Sequence, residues 1–236
     1  MSGQSRCQLI ITGGWAHPFA RTSPFLAEVF RVAGFDCVIA EDLDKAASLL
    51  AAHKFDLVTI YACWFGMSDE RYDTVRSEWA RTSSPALRDG ISSHVGAGRG
   101  ILALHTAPIC FDDWPEWPII VGGNWNWQRS WHPQSGEMSV EPVGEHPIFN
   151  GIGPFNVVDE RYTDLDVSPD VDVIAWSVAE DRQAAIWTHS VGTARVVYDA
   201  LGHDERSLGH ADHAVVLRRC ALWAAGAADA EVSGMR

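Results

Sequence analysis

Four apolar runs govern the first half of the chain: CQLIIT (7–12), FDCVIA (35–40), FDLVTIYA (55–62) and GILALH (100–105). Each is apolar nearly throughout rather than in alternation, the pattern of a strand buried on both faces. Helix-like segments separate them. Thr22-Ser23-Pro24 reads as an N-cap with proline near the first helical position, opening FLAEVFRVAGF. There Phe25, Val29, Phe30 and Val32 predict the buried face and Gly34 the end. Asp42 caps LDKAASLLAAH, with Leu43, Ala46, Ala47 and Leu50 at helical spacing, and Ser84-Pro85 opens ALRDGISSHVGAG. Strands alternating with helices predict an α/β fold with a mostly parallel central sheet covered by helices on both faces.

The second half changes character. MSVEPV, VDVIAWSV, QAAIWTHS and ARVVYDAL predict antiparallel strands, the last two joined by a hairpin containing Gly192. SLGHADHAVVLRRCALWAAG predicts one C-terminal helix packed on the sheet. No linker, repeat or low-complexity tract divides the 236 residues, so the expectation is a single domain over 1–236.

Charge narrows the partners. A formal net charge of -13 disfavours nucleic acid and anionic membrane surfaces, leaving a small neutral molecule as the easier ligand. The five cysteines are scattered and odd in number, with no C-x-x-C pair, as expected of a reduced, cytoplasmic protein. The N-terminal stretch lacks the apolar core of a signal peptide. No phosphate-binding loop, dinucleotide fingerprint or H-E-x-x-H occurs, so no nucleotide cofactor is expected. A homo-oligomer remains open.

In an open parallel sheet, ligands gather outside the carboxyl ends of the strands. His17 follows the first strand, Cys63 and Trp64 the third, His105 the fourth and His203 the run RVVYDALG. Glu160 lies in VVDERY, and His132 in a loop carrying Trp114, Trp117, Trp125, Trp127 and Trp131. His53, His94 and His146 read as structural or solvated. His210 and His213 have a spacing able to hold a metal, but such pairs are more often a polar helix face. Cys63 sits in YACWFG, whose apolar neighbours would raise its pKa rather than activate it.

The order of elements, with a pivotal turn after an apolar strand and a late histidine in Gly202-His203-Asp204-Glu205, resembles the class I glutamine amidotransferase-like fold, a flavodoxin-like architecture. In that family the pivotal turn carries a nucleophilic cysteine. Here the strand ends in His105-Thr106-Ala107 and Cys110 comes five residues later, so glutamine-dependent ammonia transfer is not expected. GILALHTA, GGNWNWQRSWHP, EHPIFNGI, DERY and RVVYDALGHDERS, in that order, resemble more closely the ThuA-like (trehalose-utilisation) family. This resemblance implies a role in carbohydrate metabolism, on a sugar or disaccharide derivative such as a keto-sugar; paired histidines acting as acid and base would there support isomerisation or glycoside cleavage.

A sugar site pairs aromatic platforms with polar partners at the hydroxyl rim. The candidates are Trp15, His17, Trp64, Asn124, Trp125, Trp127, Trp131, His132 and Tyr162. For the chemistry itself, His105, Glu160 and His203 are the catalytic candidates. Two mechanisms fit. In one, His105, His132, Glu160 and His203 supply ligands to a divalent metal, Zn²⁺ or similar. In the other no metal is needed: His203, oriented by Glu205 or Glu160, acts as base and His105 as proton or hydrogen-bond donor. A non-catalytic sugar-binding or scaffold protein that has lost the amidotransferase nucleophile is the alternative.

Overall fold

A computed structural model describes residues 5–236. The chain runs β1 (Arg6–Gly14), α1 (Phe19–Arg31), β2 (Phe35–Ala40), α2 (Leu43–Ala52), β3 (Leu57–Cys63), α3 (Asp73–Trp79), α4 (Pro85–Gly96) and β4 (Gly100–Leu104). It continues through α5 (Trp117–Val121), β5 (Gly123–Asn124), β6 (Gly136–Pro142), β7 (Phe155–Asp159), β8 (Asp166–Val167) and β9 (Asp172–Val178). Last come β10 (Arg182–Val191), β11 (Ala194–Asp199), α6 (Glu205–Leu208), α7 (Ala211–Ala224) and α8 (Asp229–Gly234).

Nine strands form one sheet in the order β2-β1-β3-β4-β11-β10-β9-β6-β7, while β5 and β8 make a separate small pair. From β2 to β11 all neighbours are parallel; from β11 to β7 all are antiparallel. The parallel part has the doubly wound 2-1-3-4-5 order of flavodoxin-like folds, whose ligand crevice opens at the carboxyl ends of the first and third strands. Period-two alternation divides the core. Ile10, Leu57, Tyr61, Leu102 and Val197 pack under α1 and α7. Leu9, Ile11, Val58, Ile60, Ile101 and Val196 pack under α2 and α4.

Local signals set most boundaries. Asp42 accepts the Lys45 amide and Ser84 that of Leu87, capping α2 and α4 as their sequences predict. The Thr22-Ser23-Pro24 signal is different. The helix starts at Phe19, and Pro24 lies inside it. The Ser23 hydroxyl bonds Thr12 of β1 at 2.6 Å and the Thr22 hydroxyl donates to the Pro18 carbonyl, so tertiary contacts take the groups that would have capped. This rotates the buried face onto Phe19, Leu26, Val29 and Phe30, and leaves Phe25 and Val32 exposed. The predicted C-terminal helix is two helices, α6 and α7, broken at Gly209, where a Cβ would stand 2.8 Å from the Glu205 carbonyl.

Arg219 of α7 explains the EHPIFNGI segment. It is 1% exposed and donates to the carbonyls of Ile148, Asn150, Ser233 and Met235. One guanidinium therefore closes a turn that would otherwise bury unpaired acceptors. Arg219→Met is expected to cost about 3 kcal/mol, seen as a lower urea midpoint with unchanged slope.

The antiparallel half is strongly curled. Four strand spacings separate β11 from β7, about 19 Å in a flat sheet. Yet the Gly202 amide, just beyond β11, donates to Asp159 Oδ2 at the end of β7 over 2.6 Å. The far edge thus returns to the centre of the sheet and delivers the residue after Asp159, Glu160, to the crevice.

Candidate metal centre and cleft

His105 is the first residue past β4, fully buried, with φ +48°, a left-handed conformation that costs a non-glycine residue about 1–3 kcal/mol. Its surroundings hold it there. The backbone N–H donates to the Asp199 carbonyl at 2.7 Å, the carbonyl accepts from Tyr198 Oη at 2.9 Å, and Nδ1 donates to the Ala200 carbonyl at 2.8 Å. Because a carbonyl only accepts, Nδ1 carries the hydrogen and Nε2 is left with its lone pair.

His17 arrives from β1 through Gly13 and Gly14. Gly14 has φ +113°, and a Cβ there would stand 2.2 Å from the Cys63 carbonyl, so glycine is required for β1 to lie this close to β3. The His17 Nδ1 donates to the Trp15 carbonyl at 3.1 Å, which again leaves Nε2 bare. Burial pushes the His17 pKa down and favours the neutral ring. The two Nε2 atoms face each other at 3.2 Å.

Glu160 completes the set with His203. Its Oε2 lies 3.4 Å from His105 Nε2, 3.7 Å from His17 Nε2 and 3.3 Å from His203 Nδ1. Burial alone would raise this carboxyl, but His105, His17 and His203 outweigh it and hold Glu160 well below the usual carboxylate range. Glu160 in turn raises the His203 pKa. Glu160 Oε2 and His203 Nδ1 are buried with no hydrogen-bond partner.

Donor atoms of His17, His105, Glu160 and His203 all lie within 4.8 Å of one another. The closest separations, 3.2–3.7 Å, match the edge of a tetrahedron built on bonds of about 2.0–2.1 Å, which is about 3.3 Å. Two lone pairs facing at 3.2 Å beside an unpartnered carboxylate oxygen repel unless a proton or a metal ion lies among them. The chemistry of the donors therefore suits a divalent ion.

His132 stands apart from this group, where His17 takes the place expected for it. Its Nδ1 is 3.6 Å from Glu160 Oε2 but makes a 3.0 Å hydrogen bond to the Pro133 carbonyl, so that nitrogen carries a hydrogen. Nor does Glu205 orient His203, because it is paired with Arg21. Asp159 does so instead. Buried to 1%, it accepts the amides of Glu160 (2.7 Å), Gly202 (2.6 Å) and His203 (3.2 Å). Asp159→Asn replaces one accepting oxygen by a donor, and is expected to weaken metal binding about 10–100-fold in a chelator competition.

Above the cluster is a cleft of about 220 Å³ lined by Trp15, His17, Trp125, Trp127, His132, Glu160 and Tyr162 among the expected residues. Ala16, Cys63, Phe65, Tyr72 and Ile109 complete it. Phe65, Tyr72 and Ile109 carry no polar signal that a sequence reading would single out. Tyr162 is tilted against His105 with centroids 4.7 Å apart, and its buried hydroxyl has no partner. Burial raises the Cys63 thiol well above its ordinary value, which leaves it unactivated.

Three expected residues lie elsewhere. Trp64 is buried, stacked on Trp79 and bonded to the Thr12 carbonyl, so it packs its loop. Asn124 belongs to β5 and borders a different hollow with Asp166. Trp131 is 51% exposed, bridges to Thr163 and borders a third hollow. Cys110, the nearest thiol after β4, is buried, donates to the Ala62 carbonyl and is pushed up to about 12, chiefly by burial. His210 and His213 do not share a ligand: His213 is buried against Asp199, and His210 stacks on Phe155.

Residues 9–224 match the family model ThuA, described as trehalose utilisation. The comparison with curated proteins finds no match. Among solved structures, a ThuA-like protein from Parabacteroides merdae is 18% identical, with 94% of this chain and 91% of that one covered and a TM-score of 0.75. A ThuA-like protein from Bacteroides uniformis is 15% identical, covering 95% and 93% at a TM-score of 0.63. A cytoplasmic protein from Salmonella typhimurium is 12% identical, covering 90% and 96% at a TM-score of 0.62. At these identities the likeness is one of fold. No helix among the described residues is long and apolar enough to cross a membrane.

Proposed function

Because the chain belongs to the ThuA family, described by trehalose utilisation, we propose that it acts on an uncharged sugar derivative, a keto-sugar or keto-glycoside, at a divalent metal centre. The observation that carries this reading is the set of donor atoms of His17, His105, Glu160 and His203, converging on one point under an aromatic cleft. When bound, the ion would polarise a sugar carbonyl or hydroxyl as a Lewis acid.

The chain's own groups divide the remaining work. His105 and His17 hold their Nδ1 hydrogens on backbone carbonyls and turn Nε2 inward. Glu160 supplies the negative charge of the set. His203, as a ligand, cannot also serve as the proton acceptor. That task falls to His132, at the cleft wall, whose Nδ1 hydrogen is bonded to the Pro133 carbonyl and whose Nε2 therefore carries the lone pair. It would take a proton from the carbon beside the keto group, and handing it back to carbon completes an isomerisation. Forming a C=C bond as the glycosidic C–O bond on the next carbon breaks, with the proton handed to the departing oxygen, instead releases the partner as an alcohol. Trp125 and Trp127 offer flat apolar area to the C–H face of the ring.

The test is to incubate the metal-loaded and chelator-stripped protein with keto-glucosides in D₂O. Proton NMR should show exchange at the carbon beside the carbonyl, in the loaded form alone. His132→Ala should slow it about 10²–10⁴-fold while the metal stays bound. Binding without exchange would mark a sugar-binding protein, and neither binding nor exchange would remove the sugar reading.

A further inference from the structure

The wall that carries Glu160 and His132 has a second face. Residues 131–133 and 159–163 run side by side, joined where the Trp131 amide donates to the Thr163 carbonyl at 3.2 Å and the Thr163 amide to the Trp131 carbonyl at 2.9 Å. Extended chain sends successive side chains to opposite sides. His132, Glu160 and Tyr162 line the metal cleft, whereas Trp131, Pro133, Asp159 and Arg161 line a hollow on the reverse side. That hollow encloses about 440 Å³, inside the roughly 300–1,000 Å³ of small-molecule pockets. Glu137 and Met138 of β6, with Glu180 and Asp181 of the turn between β9 and β10, complete its far side.

Charge decides what this hollow can hold. Its one guanidinium, Arg161, is 9% exposed and spends a nitrogen on the side chain and carbonyl of Asp181. Asp159 is taken up by backbone amides. Of the cations nearby, Arg206 reaches Ser135 but is paired with Asp204, and Arg182 is paired with Glu141. Glu137 and Glu180 are left exposed at the rim, with no hydrogen-bond or ion-pair partner for their side chains among the described residues. Between them and the wall stands Trp131, half open to solvent. An exposed indole face beside two uncompensated carboxylates attracts an organic cation, through the ring quadrupole and through opposite charge. A bare metal ion would gain nothing from the indole or from Met138. Arg161 adds a further cue, because its Nε is buried in the wall without an acceptor and suits a ligand that also carries a hydroxyl oxygen.

We propose that the hollow behind the wall is a second binding site, for a small hydroxyl-bearing organic ammonium ion, and that its occupancy is transmitted to the metal centre. The ligand grips Trp131 and Arg161, whose chain neighbours His132, Glu160 and Tyr162 face the cleft. Any shift of that backbone reaches the Glu160 carboxylate directly. The site itself is independent of the sugar reading, and only the transmission rests on the metal centre proposed above.

Isothermal titration of the metal-loaded protein with choline and with its uncharged carbon analogue, dimethylbutanol, tests the site. Choline should bind about tenfold tighter. Glu137→Gln, an exposed change that keeps the side chain's shape, and Trp131→Leu should each shrink that preference. Saturating choline should change the metal affinity measured by chelator competition about fivefold, and stripping the metal should change the choline affinity by the same factor. Equal affinity for the two probes, no binding of choline, or a preference that survives both variants would overturn the site. Choline bound with the metal affinity unchanged would overturn the transmission. A protein that bound choline but took up no metal would remove the metal centre and the transmission with it, and leave the site standing.

Discussion

Elemental analysis of the protein purified without chelator should find close to one divalent transition ion per chain, and essentially none in His105→Ala. The fully buried Nε2 of His105 has no alternative partner among the described residues except His17 Nε2 and the Glu160 carboxylate. Removing it deletes a ligand that no mobile side chain can replace. His17→Ala should lose the ion as well, whereas His132→Ala should keep it, because the Nδ1 of His132 is committed to the Pro133 carbonyl. The reverse result, with metal kept by His17→Ala and lost by His132→Ala, would overturn the ligand set. Chelation should also lower the melting temperature, since an ion present at about 1,000 times its Kd adds about 4 kcal/mol to the folded state.

His213→Ala should be the most destabilising substitution outside the cleft. His213 and Asp199 are both fully buried, with Nε2 and Oδ2 3.0 Å apart, and the His213 Nδ1 donates to the Ser207 carbonyl. Losing the imidazole strands a carboxylate in the core. The expected cost is about 3–5 kcal/mol, or a fall of about 10 °C in melting temperature for a chain of this length. The pH dependence has a definite sign. Burial alone would lower the His213 pKa, but the Asp199 carboxylate outweighs it and the folded value is raised. The contribution is therefore complete below the unfolded pKa of about 6.5 and is lost as pH rises through the folded value. The gap between the two proteins should narrow toward alkaline pH. A gap that widened there would show that the pair is not an ion pair in the folded state.

The parallel half of the fold is readable from the sequence because its strands are buried on both faces and its helices carry local caps at Asp42 and Ser84. The start of α1 is not, because the hydroxyls of Thr22 and Ser23 are drawn into contacts with Pro18 and with Thr12 on another element. Strand-end position is enough to single out His17, His105 and His203. It cannot rank His17 against His132, which depends on which ring nitrogen meets a carbonyl. Asp159 carries no sequence signal beyond standing before Glu160; its role comes from amides more than 40 residues away. The tryptophans divide for the same reason. Trp125 and Trp127 line the cleft while Trp64 and Trp131 do not, and all four belong to apolar or glycine-rich stretches of similar composition.

The curl that returns β7 to the end of β11 makes the cleft a seam as well as a binding place. Besides its ladder with β6 and its packing on α6, the outermost strand is fastened to the centre of the sheet where Asp159 and Glu160 meet Gly202, His203 and the imidazoles. An ion seated there would rivet together segments nearly 190 residues apart in the chain, since His17 and His203 bound the set. Occupancy should therefore be readable far from the cleft. Amide exchange along β6 and β7, an edge open to pairing with other chains, should slow when the site fills and quicken when it empties. For this protein, an emptied centre and a sticky sheet edge would be the same event.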